Sequence, residues 1–185
     1  PRAMVLCAGL GTRLRPLTME LPKPLVPIGD RPLLGHITAR LARAGFTEVL
    51  INTHHLPDAF AMHDADLGVK LHRVHEPVIR GTAGGVAGAR ELLGPAPIVV
   101  WNGDILVQPP LEALCEAAAS GGLALALCPR RLGEGTVGVN REGEVARLRG
   151  ERFGDEALGG DYVGVAALGA RCLASLPADG CLIGD

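Results

Sequence analysis

Aromatic residues are scarce in this chain, which has three Phe, one Trp and one Tyr among its 185 residues. This scarcity argues against the stacked aromatic platforms that bind single-stranded nucleic acid. The formal net charge of −2 argues against a protein that binds mainly the phosphate backbone of DNA. No apolar stretch approaches the roughly 20 residues of a membrane span, and no basic segment leads into an apolar run as in a secretory leader. We therefore expect no nucleic-acid partner, no membrane and a cytoplasmic location.

Paired cysteine motifs are also lacking. The five cysteines never form a C-x-x-C pair, so zinc and redox motifs are not indicated. Their odd number, and the position of several within apolar runs, predict reduced thiols that act as small core side chains. Lysine is even less frequent than cysteine. Of the 18 Lys and Arg residues, only Lys23 and Lys70 are lysines.

Apolar residues make up 48% of the chain, which is enough for a core and excludes intrinsic disorder. Short apolar runs predict strands at 3–8, 48–52, 98–101 and 123–128, and an alternating pattern predicts a strand at 69–74. Helical spacing predicts helices between an N-cap at Asp30 and a stop at Gly45, at 57–63, at 83–93 after an N-cap at Thr82, and at 110–118. Strands that alternate with helices form a parallel sheet covered by helices.

After Pro129 the pattern changes to short strands with no helices between them, predicted at 136–140, 144–148 and 161–167. A last helix is predicted to begin near Gly169. The sequence therefore predicts an α/β, three-layer Rossmann-like fold: a mostly parallel sheet with helices on both faces and a small antiparallel extension. In such sheets ligands bind outside the carboxyl ends of the strands, so the segments after the strands are the first to examine.

The segment after the first predicted strand contains Gly9, Gly11 and Arg13 within a long loop without periodicity. A glycine-rich turn lets backbone N–H groups approach a phosphate closely. A dinucleotide fingerprint would need a third glycine where Leu14 stands, and a Walker loop would need Gly-Lys-Ser/Thr. A glycine turn followed by a fixed cation remains, and a purely structural turn is the alternative.

The same loop continues to Lys23, which lies between Pro22 and Pro24. Proline fixes its own φ and restricts the residue before it, so the Lys23 backbone is predicted to be held extended. That geometry can direct a compact cation toward the glycine turn. The alternative is an ordinary exposed lysine in a proline-rich loop.

Two further segments follow the same logic. Asp104 comes after a buried strand and after Gly103, which fits a Mg²⁺ ligand that works together with substrate phosphates, or alternatively a turn or N-cap residue. The stretch Gly81–Gly85 begins a helix almost without side chains and can admit a base or a phosphate, or alternatively allows close helix–sheet packing. The histidines fit no metal-ligand spacing and are interpreted as surface or capping residues; they are His54, His55, His63, His72 and His75.

These motifs resemble those of a known family. Residues 8–32, AGLGTRLRPLTMELPKPLVPIGDRP, closely resemble the signature of the sugar-1-phosphate nucleotidyltransferases. The resemblance continues through Glu76, Gly81–Gly84, Gly103–Asp104 and the later segments around Gly138 and 162–166, so that it covers nearly the whole chain. Within the family the chain looks most similar to mannose-1-phosphate guanylyltransferase-like and N-acetylmuramate-1-phosphate uridylyltransferase-like proteins.

The resemblance implies transfer of a nucleotidyl group from a nucleoside triphosphate, with GTP or UTP favoured, to a sugar 1-phosphate. Arg13 would bind the β- and γ-phosphates, Lys23 would bridge the α-phosphate and the sugar phosphate, and Asp104 would hold Mg²⁺. The implied nucleotide-binding residues are Ala8, Gly9, Gly11, Thr12, Arg13, Gly81, Thr82, Ala83, Gly84 and Gly103. The implied sugar-binding residues are Gly138, Glu151 and Gly164.

The resemblance also implies one nucleotidyltransferase domain over 1–185, with its nucleotide-binding part at about 1–128 and its sugar-binding part at about 129–185. Many relatives have Glu-Lys-Pro where this chain has 148–152, which leaves Glu151 as the candidate sugar contact. A second metal carboxylate is expected beyond residue 185, so we expect a C-terminally truncated chain. The alternatives are a non-catalytic nucleotide-sugar-binding or regulatory domain and a choline-phosphate-type cytidylyltransferase. Homo-oligomer formation stays open.

Overall fold

The structure is a computed structural model that describes residues 2–66, 68–94 and 97–182, with the backbone alone described at 62–66. The strands are β1 (Arg2–Leu6), β2 (Pro27–Ile28), β3 (Arg31–Pro32), β4 (Glu48–Thr53), β5 (Lys70–His75), β6 (Ile98–Asn102), β7 (Leu123–Arg130), β8 (Val137–Val139), β9 (Val145–Leu148), β10 (Glu151–Arg152) and β11 (Leu158–Leu168). The α-helices are α1 (Leu33–Arg43), α2 (Gly81–Gly88), α3 (Arg90–Leu93), α4 (Leu111–Ala118) and α5 (Ala170–Ser175). Short 3-10 segments lie at Thr12–Leu14, Leu17–Met19, Lys23–Leu25 and Pro57–Asp66. The chain divides into two compact units, Pro1–Ala124 with Ala166–Asp185 and Leu125–Val165.

The first unit contains a parallel sheet with the strand order β6–β1–β4–β5. Ala3 of β1 lies opposite Val49 on one side and Val99 on the other. The middle of β1 is fully buried, because this strand has a neighbour on each edge and apolar side chains on both faces. Its central place in the sheet puts the loop that follows it between the ends of β4 and β6.

The second unit consists of antiparallel strands. β8 pairs with β9, β9 pairs with β10, and β11 pairs with β8 so that Gly160 lies opposite Val137. The predicted α/β class, with a mostly parallel sheet and a set of antiparallel strands late in the chain, is confirmed. No helix among the described residues is long and apolar enough to cross a membrane.

Several predicted boundaries are wrong for identifiable reasons. The residue before α1 is Pro32, with no side-chain cap, because Asp30 lies two residues further back, in the turn between β2 and β3. The predicted helix 83–93 begins earlier, at Gly81, and is divided at Ala89 into α2 and α3. Thr82 does not cap this helix, since its hydroxyl oxygen accepts a hydrogen bond from the N–H of Leu182 at 2.8 Å.

The cysteine predictions hold in part. None of the five cysteines, all of which lie within the described residues, forms a disulfide, and Cys7 is buried as predicted. The prediction of core side chains is wrong for Cys128 and Cys181, which are exposed. Cys128 lies in β7 at a position that faces solvent, and Cys181 lies in the last described segment of the chain.

Candidate active site

A cavity of about 360 Å³ lies in the first unit, at the carboxyl ends of the parallel strands. β1 leads into Cys7 and Ala8, β4 contributes Asn52, and β6 leads into Gly103 and Asp104. The other lining residues come from the ends of β1 and β6, the glycine loop, the Lys23 turn, the segment from Glu76 to the start of α2, and the last described segment; they are Leu6, Gly9, Gly11, Thr12, Arg13, Leu14, Lys23, Pro24, Glu76, Ile79, Gly81, Thr82, Asn102 and Cys181. The strand-end rule therefore locates the cavity correctly from the sequence.

The glycine loop is shaped by a buried threonine. Gly11 has a φ of 62°, in the left-handed region that favours glycine. The Thr18 hydroxyl donates a hydrogen bond to the Gly11 carbonyl at 2.8 Å, and a Cβ on Gly11 would lie 2.8 Å from the Thr18 methyl carbon. Glycine is thus required at this position by both φ and the close approach of Thr18. Arg13 follows in a 3-10 turn, exposed and at the wall of the cavity.

Lys23 and Asp104 meet directly at the edge of the cavity. The Lys23 Nζ donates to Asp104 Oδ2 at 2.5 Å, and the two side chains are 28% and 35% exposed. Gly103 makes this possible, because its N–H donates to the Leu6 carbonyl at 2.9 Å and a Cβ there would lie 3.2 Å from Pro24. The two residues, 81 positions apart in the chain, are therefore brought together by packing of the Pro24 turn on Gly103.

A buried polar network lies behind the glycine loop. Asn52 accepts a hydrogen bond from the Cys7 N–H at 2.7 Å and donates to Glu76 Oε1 at 2.8 Å. Asn52 is 3% exposed and Glu76 is 5% exposed. A Cβ on Gly85 would lie 2.7 Å from the Asn52 amide nitrogen, so this helix must present glycine here. The network joins the end of β1 to the segment before α2.

The sequence analysis did not assign this role to Asn52. The signal was present, since Asn52 is a polar residue at the carboxyl end of a buried strand, as Asp104 nearly is. Burial, with a smaller effect of the nearby Asp104 carboxylate, raises the pKa of the Cys7 thiol well above its usual range. The thiol beside this network is therefore neutral at physiological pH.

The start of α2 is covered by the chain itself. The Ala83 N–H donates to the Gly180 carbonyl and the Gly180 N–H donates to the Arg80 carbonyl, both at 2.9 Å. A Cβ on Gly84 would lie 2.9 Å from Asp179 Cα. Of the residues predicted here to bind nucleotide, Gly81 and Thr82 line the cavity, whereas Ala83 and Gly84 face the segment 178–180. The close approach anticipated for this helix is thus made by backbone of the same chain.

The predicted sugar-binding residues lie in the second unit. Gly138 is in β8, Gly164 is buried in β11, and Glu151 is exposed in β10 opposite Leu148. Gly138 is occupied on its open side by Glu156, whose Oε2 would lie 2.7 Å from a Cβ. The roles proposed for these three residues stay predictions.

Glu156 belongs to an ion pair that the sequence analysis missed. Its carboxylate accepts hydrogen bonds from Arg147 Nε at 2.8 Å and Arg147 Nη2 at 3.0 Å. The same guanidinium donates to the carbonyls of Glu134, Gly135 and Arg149. The Arg147 side chain is 8% exposed and that of Glu156 is 2% exposed. Hydrogen bonding from Arg147 lowers the pKa of Glu156 to about 2.

Two of the five histidines interpreted above as surface or capping residues make backbone contacts. His54 hydrogen bonds to the Glu76 carbonyl at 2.8 Å and His55 to the Thr18 carbonyl at 2.5 Å, so in each case a ring N–H donates. The His63 side chain lies outside the described residues. In the part of the chain that the structure describes, no group of three His, Cys, Asp or Glu side chains is placed to hold a metal ion.

The donor set nevertheless fits magnesium in one way. Asp104 offers carboxylate oxygens at the cavity edge, beside the cations Arg13 and Lys23. Mg²⁺ is commonly held by one or two carboxylates together with substrate phosphates and water. A single protein carboxylate next to a place for phosphates satisfies that pattern, whereas an all-protein cage is not present among the described residues.

Comparison with known proteins gives a consistent result. Residues 2–139 match the family described as nucleotidyl transferase. The N-acetylmuramate alpha-1-phosphate uridylyltransferase of Neisseria meningitidis is 42% identical over 124 residues, which are 64% of this chain and 53% of that protein. The mannose-1-phosphate guanylyltransferase of Mycobacterium tuberculosis is 36% identical over 135 residues, 71% of this chain and 38% of that protein.

A third relative, the mannose-1-phosphate guanyltransferase of Aspergillus oryzae, is 38% identical over 62% of this chain and 33% of its own length. The matched part thus spans between about a third and about half of these relatives. Among solved structures, HddC from Yersinia pseudotuberculosis complexed with GMP-PN aligns with a TM-score of 0.80 at 20% identity, over all of this chain and 84% of that chain. An identity this low supports the fold alone.

Proposed function

The chain belongs to the nucleotidyl transferase family, and on that premise we propose that it transfers a nucleotidyl group from a nucleoside triphosphate to a sugar 1-phosphate. One observation carries the proposal: Arg13, Lys23 and Asp104 line a single cavity, and the glycine loop lines the same cavity. The names of the relatives from Neisseria and Mycobacterium support the reaction class and favour UTP or GTP as the donor.

The reaction is an in-line displacement at phosphorus. A phosphate oxygen of the sugar 1-phosphate attacks the α-phosphorus of the triphosphate, and the bond from the α-phosphorus to its bridging oxygen breaks. Pyrophosphate leaves with the electron pair of that bond. The attacking oxygen is already ionised, so no general base is required, and catalysis depends on positioning and charge neutralisation.

The residues of the cavity divide this work. Arg13, exposed at the wall, can neutralise the β- and γ-phosphates, where a planar guanidinium binds two oxygens at once. Lys23, a compact ammonium on a flexible stem, can contact the α-phosphate and the incoming sugar phosphate. The backbone at Gly9 leaves room for the triphosphate to lie close to the chain, because a Cβ there would meet no other group within 4 Å.

We propose Mg²⁺ as the cofactor, with Asp104 as its protein ligand and phosphate oxygens as its other partners. When bound, the metal would supply positive charge that stabilises the oxygens of the transferring and leaving groups. Asp104 is suited to this role because its carboxylate is about one-third exposed at the cavity edge rather than enclosed.

The test is pyrophosphate release from each of the common nucleoside triphosphates with a panel of sugar 1-phosphates, in the presence of Mg²⁺. Turnover with GTP or UTP and at least one sugar 1-phosphate is expected. Asp104→Asn should lower kcat about 100-fold, the loss of a few kcal/mol of charge stabilisation. A protein that binds nucleotides but turns over none of these pairs would favour the non-catalytic alternative, and a wild-type-like Asp104→Asn enzyme would exclude the metal assignment.

A further inference from the structure

Two charged groups that the proposed reaction assigns to different partners are bonded to each other. Lys23 Nζ and Asp104 Oδ2 are 2.5 Å apart. In the proposed reaction the ammonium contacts phosphates and the carboxylate holds Mg²⁺. Neither group can fully perform its role while it serves as the other's partner.

We propose that this pair is a metal-operated exchange: Mg²⁺ binding at Asp104 displaces the Lys23 ammonium, which then becomes available to phosphate oxygens. The identities of the metal and of the phosphates rest on the proposed function. The exchange itself is a property of these two side chains. In the metal-free protein the Asp104 carboxylate holds the Lys23 ammonium by a hydrogen bond and neutralises its positive charge.

The setting of the pair allows such an exchange. Both side chains are partly exposed, at 28% and 35%, and an ion pair in that setting contributes little stability because water and salt screen it. Between these two side chains one hydrogen bond connects a flexible four-carbon stem to a single carboxylate oxygen. A divalent cation carries twice the charge of the ammonium, so the Coulomb attraction of the same carboxylate for it is stronger at equal distance.

The backbone around Lys23 stays anchored while the side chain moves. Pro24 and Leu25 are buried, and the Leu25 N–H donates to the Pro22 carbonyl at 2.8 Å. Pro24 also packs against Gly103, the residue before Asp104. The exchange therefore needs rotation about side-chain bonds only, and Nζ moves within reach of the same cavity edge.

The exchange couples the metal to the anion. A phosphate that arrives without metal meets an ammonium already neutralised by Asp104, so it is attracted weakly. A phosphate that arrives with Mg²⁺ meets a released ammonium. Because such coupling is reciprocal, an anion that holds Lys23 away should strengthen metal binding at Asp104 by the same factor.

The two lysines of the chain make the exchange directly observable. Protein prepared with lysine labelled with ¹³C at Cε gives one signal from Lys23 and one from Lys70, which lies in β5 and serves as the internal reference. Lys23→Met assigns the signals. In metal-free protein at constant pH, we expect the Lys23 signal of the wild type to differ from that of Asp104→Asn, where the ion pair is lost. Magnesium chloride should move the wild-type signal toward the Asp104→Asn position, and sodium chloride of matched chloride concentration should not.

A second measurement checks the competition itself. Calorimetric titration of the nucleotide-free protein with Mg²⁺ should show an affinity about 2- to 5-fold higher in Lys23→Met than in the wild type, the range that an exposed ion pair supports. Lys23→Arg, which keeps a cation, should not show that gain. Circular dichroism and thermal unfolding of each variant establish that it is folded.

Three outcomes would overturn the exchange: identical Lys23 signals in metal-free wild type and Asp104→Asn, no movement with Mg²⁺, or an equal movement of Lys70. The result is separable from that of the pyrophosphate assay. If the protein turns over substrate but the Lys23 signal does not move, the exchange hypothesis is contradicted and the proposed reaction is supported. If the Lys23 signal moves but no substrate is turned over, the exchange hypothesis is supported and the proposed reaction is contradicted.

Discussion

The two units of this protein each contain a prominent ion pair, and the two pairs differ in nearly every physical respect. Lys23 and Asp104 share one hydrogen bond at the water-exposed edge of a cavity. Arg147 binds Glu156 through two nitrogens, holds three backbone carbonyls as well, and is almost completely buried. A pair that is exposed and singly bonded can be exchanged for a ligand, whereas a pair that is buried and multiply bonded fixes the backbone around it.

Lys23→Ala should give the largest effect and should separate catalysis from stability. We expect kcat to fall about 100- to 1000-fold, as for loss of a group aimed at developing charge, with only a modest change in triphosphate affinity. The midpoint of thermal unfolding should stay within about 2 °C of wild type, because the pair is exposed. Lys70→Ala is the matched control and should change neither quantity.

Steady-state kinetics beside direct nucleotide binding decides this prediction. If Lys23→Ala abolishes triphosphate binding and this accounts for the whole loss of activity, Lys23 anchors the nucleotide and does not act on the transition state. Lys23→Arg should recover activity only in part, since a planar guanidinium does not replace a compact ammonium.

Glu156→Gln should give the opposite pattern. It leaves Arg147 charged, buried and without its carboxylate, and breaking such a pair lowers the unfolding midpoint by about 10 °C in a chain of this length. The control lies in the same unit: Arg130 and Asp161 are paired at 2.7 Å but are 52% and 37% exposed. Arg130→Gln should shift the midpoint by less than about 2 °C. Equal shifts in the two variants would remove the distinction between buried and exposed pairs.

The pH dependence of stability provides a finer test of the buried pair. Arg147 lowers the pKa of Glu156 to about 2 from an ordinary value of 4.5. A depressed pKa in the folded state means that the stabilisation is fully present above pH 4.5 and is lost as the pH falls toward 2. The difference in unfolding midpoint between wild type and Glu156→Gln, measured by calorimetry, should therefore narrow over that interval. A difference undiminished at about pH 3 would contradict the linkage.

Thr82→Val should give the smallest effect. The variant keeps the shape of the side chain but loses the acceptor for the Leu182 N–H at 2.8 Å, which costs about 1 kcal/mol of unfolding free energy. Thr136→Val in the second unit is the counterpart, because there the hydroxyl accepts from the Tyr162 N–H at a longer 3.4 Å. Denaturant unfolding should show the larger loss for Thr82→Val, and the reverse order would mean that the segment 178–182 is not held through Thr82.

Local patterns were enough to predict much of this structure. The apolar runs identified β1, β4 and β6 to within about two residues, because strands buried on both faces are largely apolar. The edge strand β5 was identified to within one residue from its alternating pattern. The strand-end rule predicted that Gly9, Gly11 and Asp104 lie at the carboxyl ends of the strands, where the cavity is found. The flanking prolines predicted an extended backbone at Lys23, which is wrong, because Lys23 begins the 3-10 turn Lys23–Leu25. The chemical roles of these residues stay predictions.

The features that could not be predicted depend on contacts outside the helix, strand or turn to which a residue was assigned. The residues around Thr82 predict that it caps the helix, but its hydroxyl oxygen accepts a hydrogen bond from the N–H of Leu182, 100 residues away. Asp30 was predicted to cap α1, but it lies in the turn between β2 and β3, a strand pair that the sequence pattern did not indicate. Arg147 and Glu156 are charged residues in a Gly-rich region, where sequence alone favours exposure. Only the tertiary fold shows that the two side chains are buried together and that each neutralises the charge of the other.

The contact between Gly180 and Ala83 has a consequence for how the cavity captures its ligand. A helix that starts at a binding site often lends its positive end to an anion. Here the Ala83 N–H, in the first turn of α2, already donates a hydrogen bond to the Gly180 carbonyl. This N–H is therefore not available to a bound anion. Attraction of an anion then depends more on discrete side chains at the solvent edge, and dissolved salt screens such charges over about 8 Å at physiological concentration. Ligand capture by this protein should accordingly slow as ionic strength rises, more steeply than in a site that relies on a helix terminus.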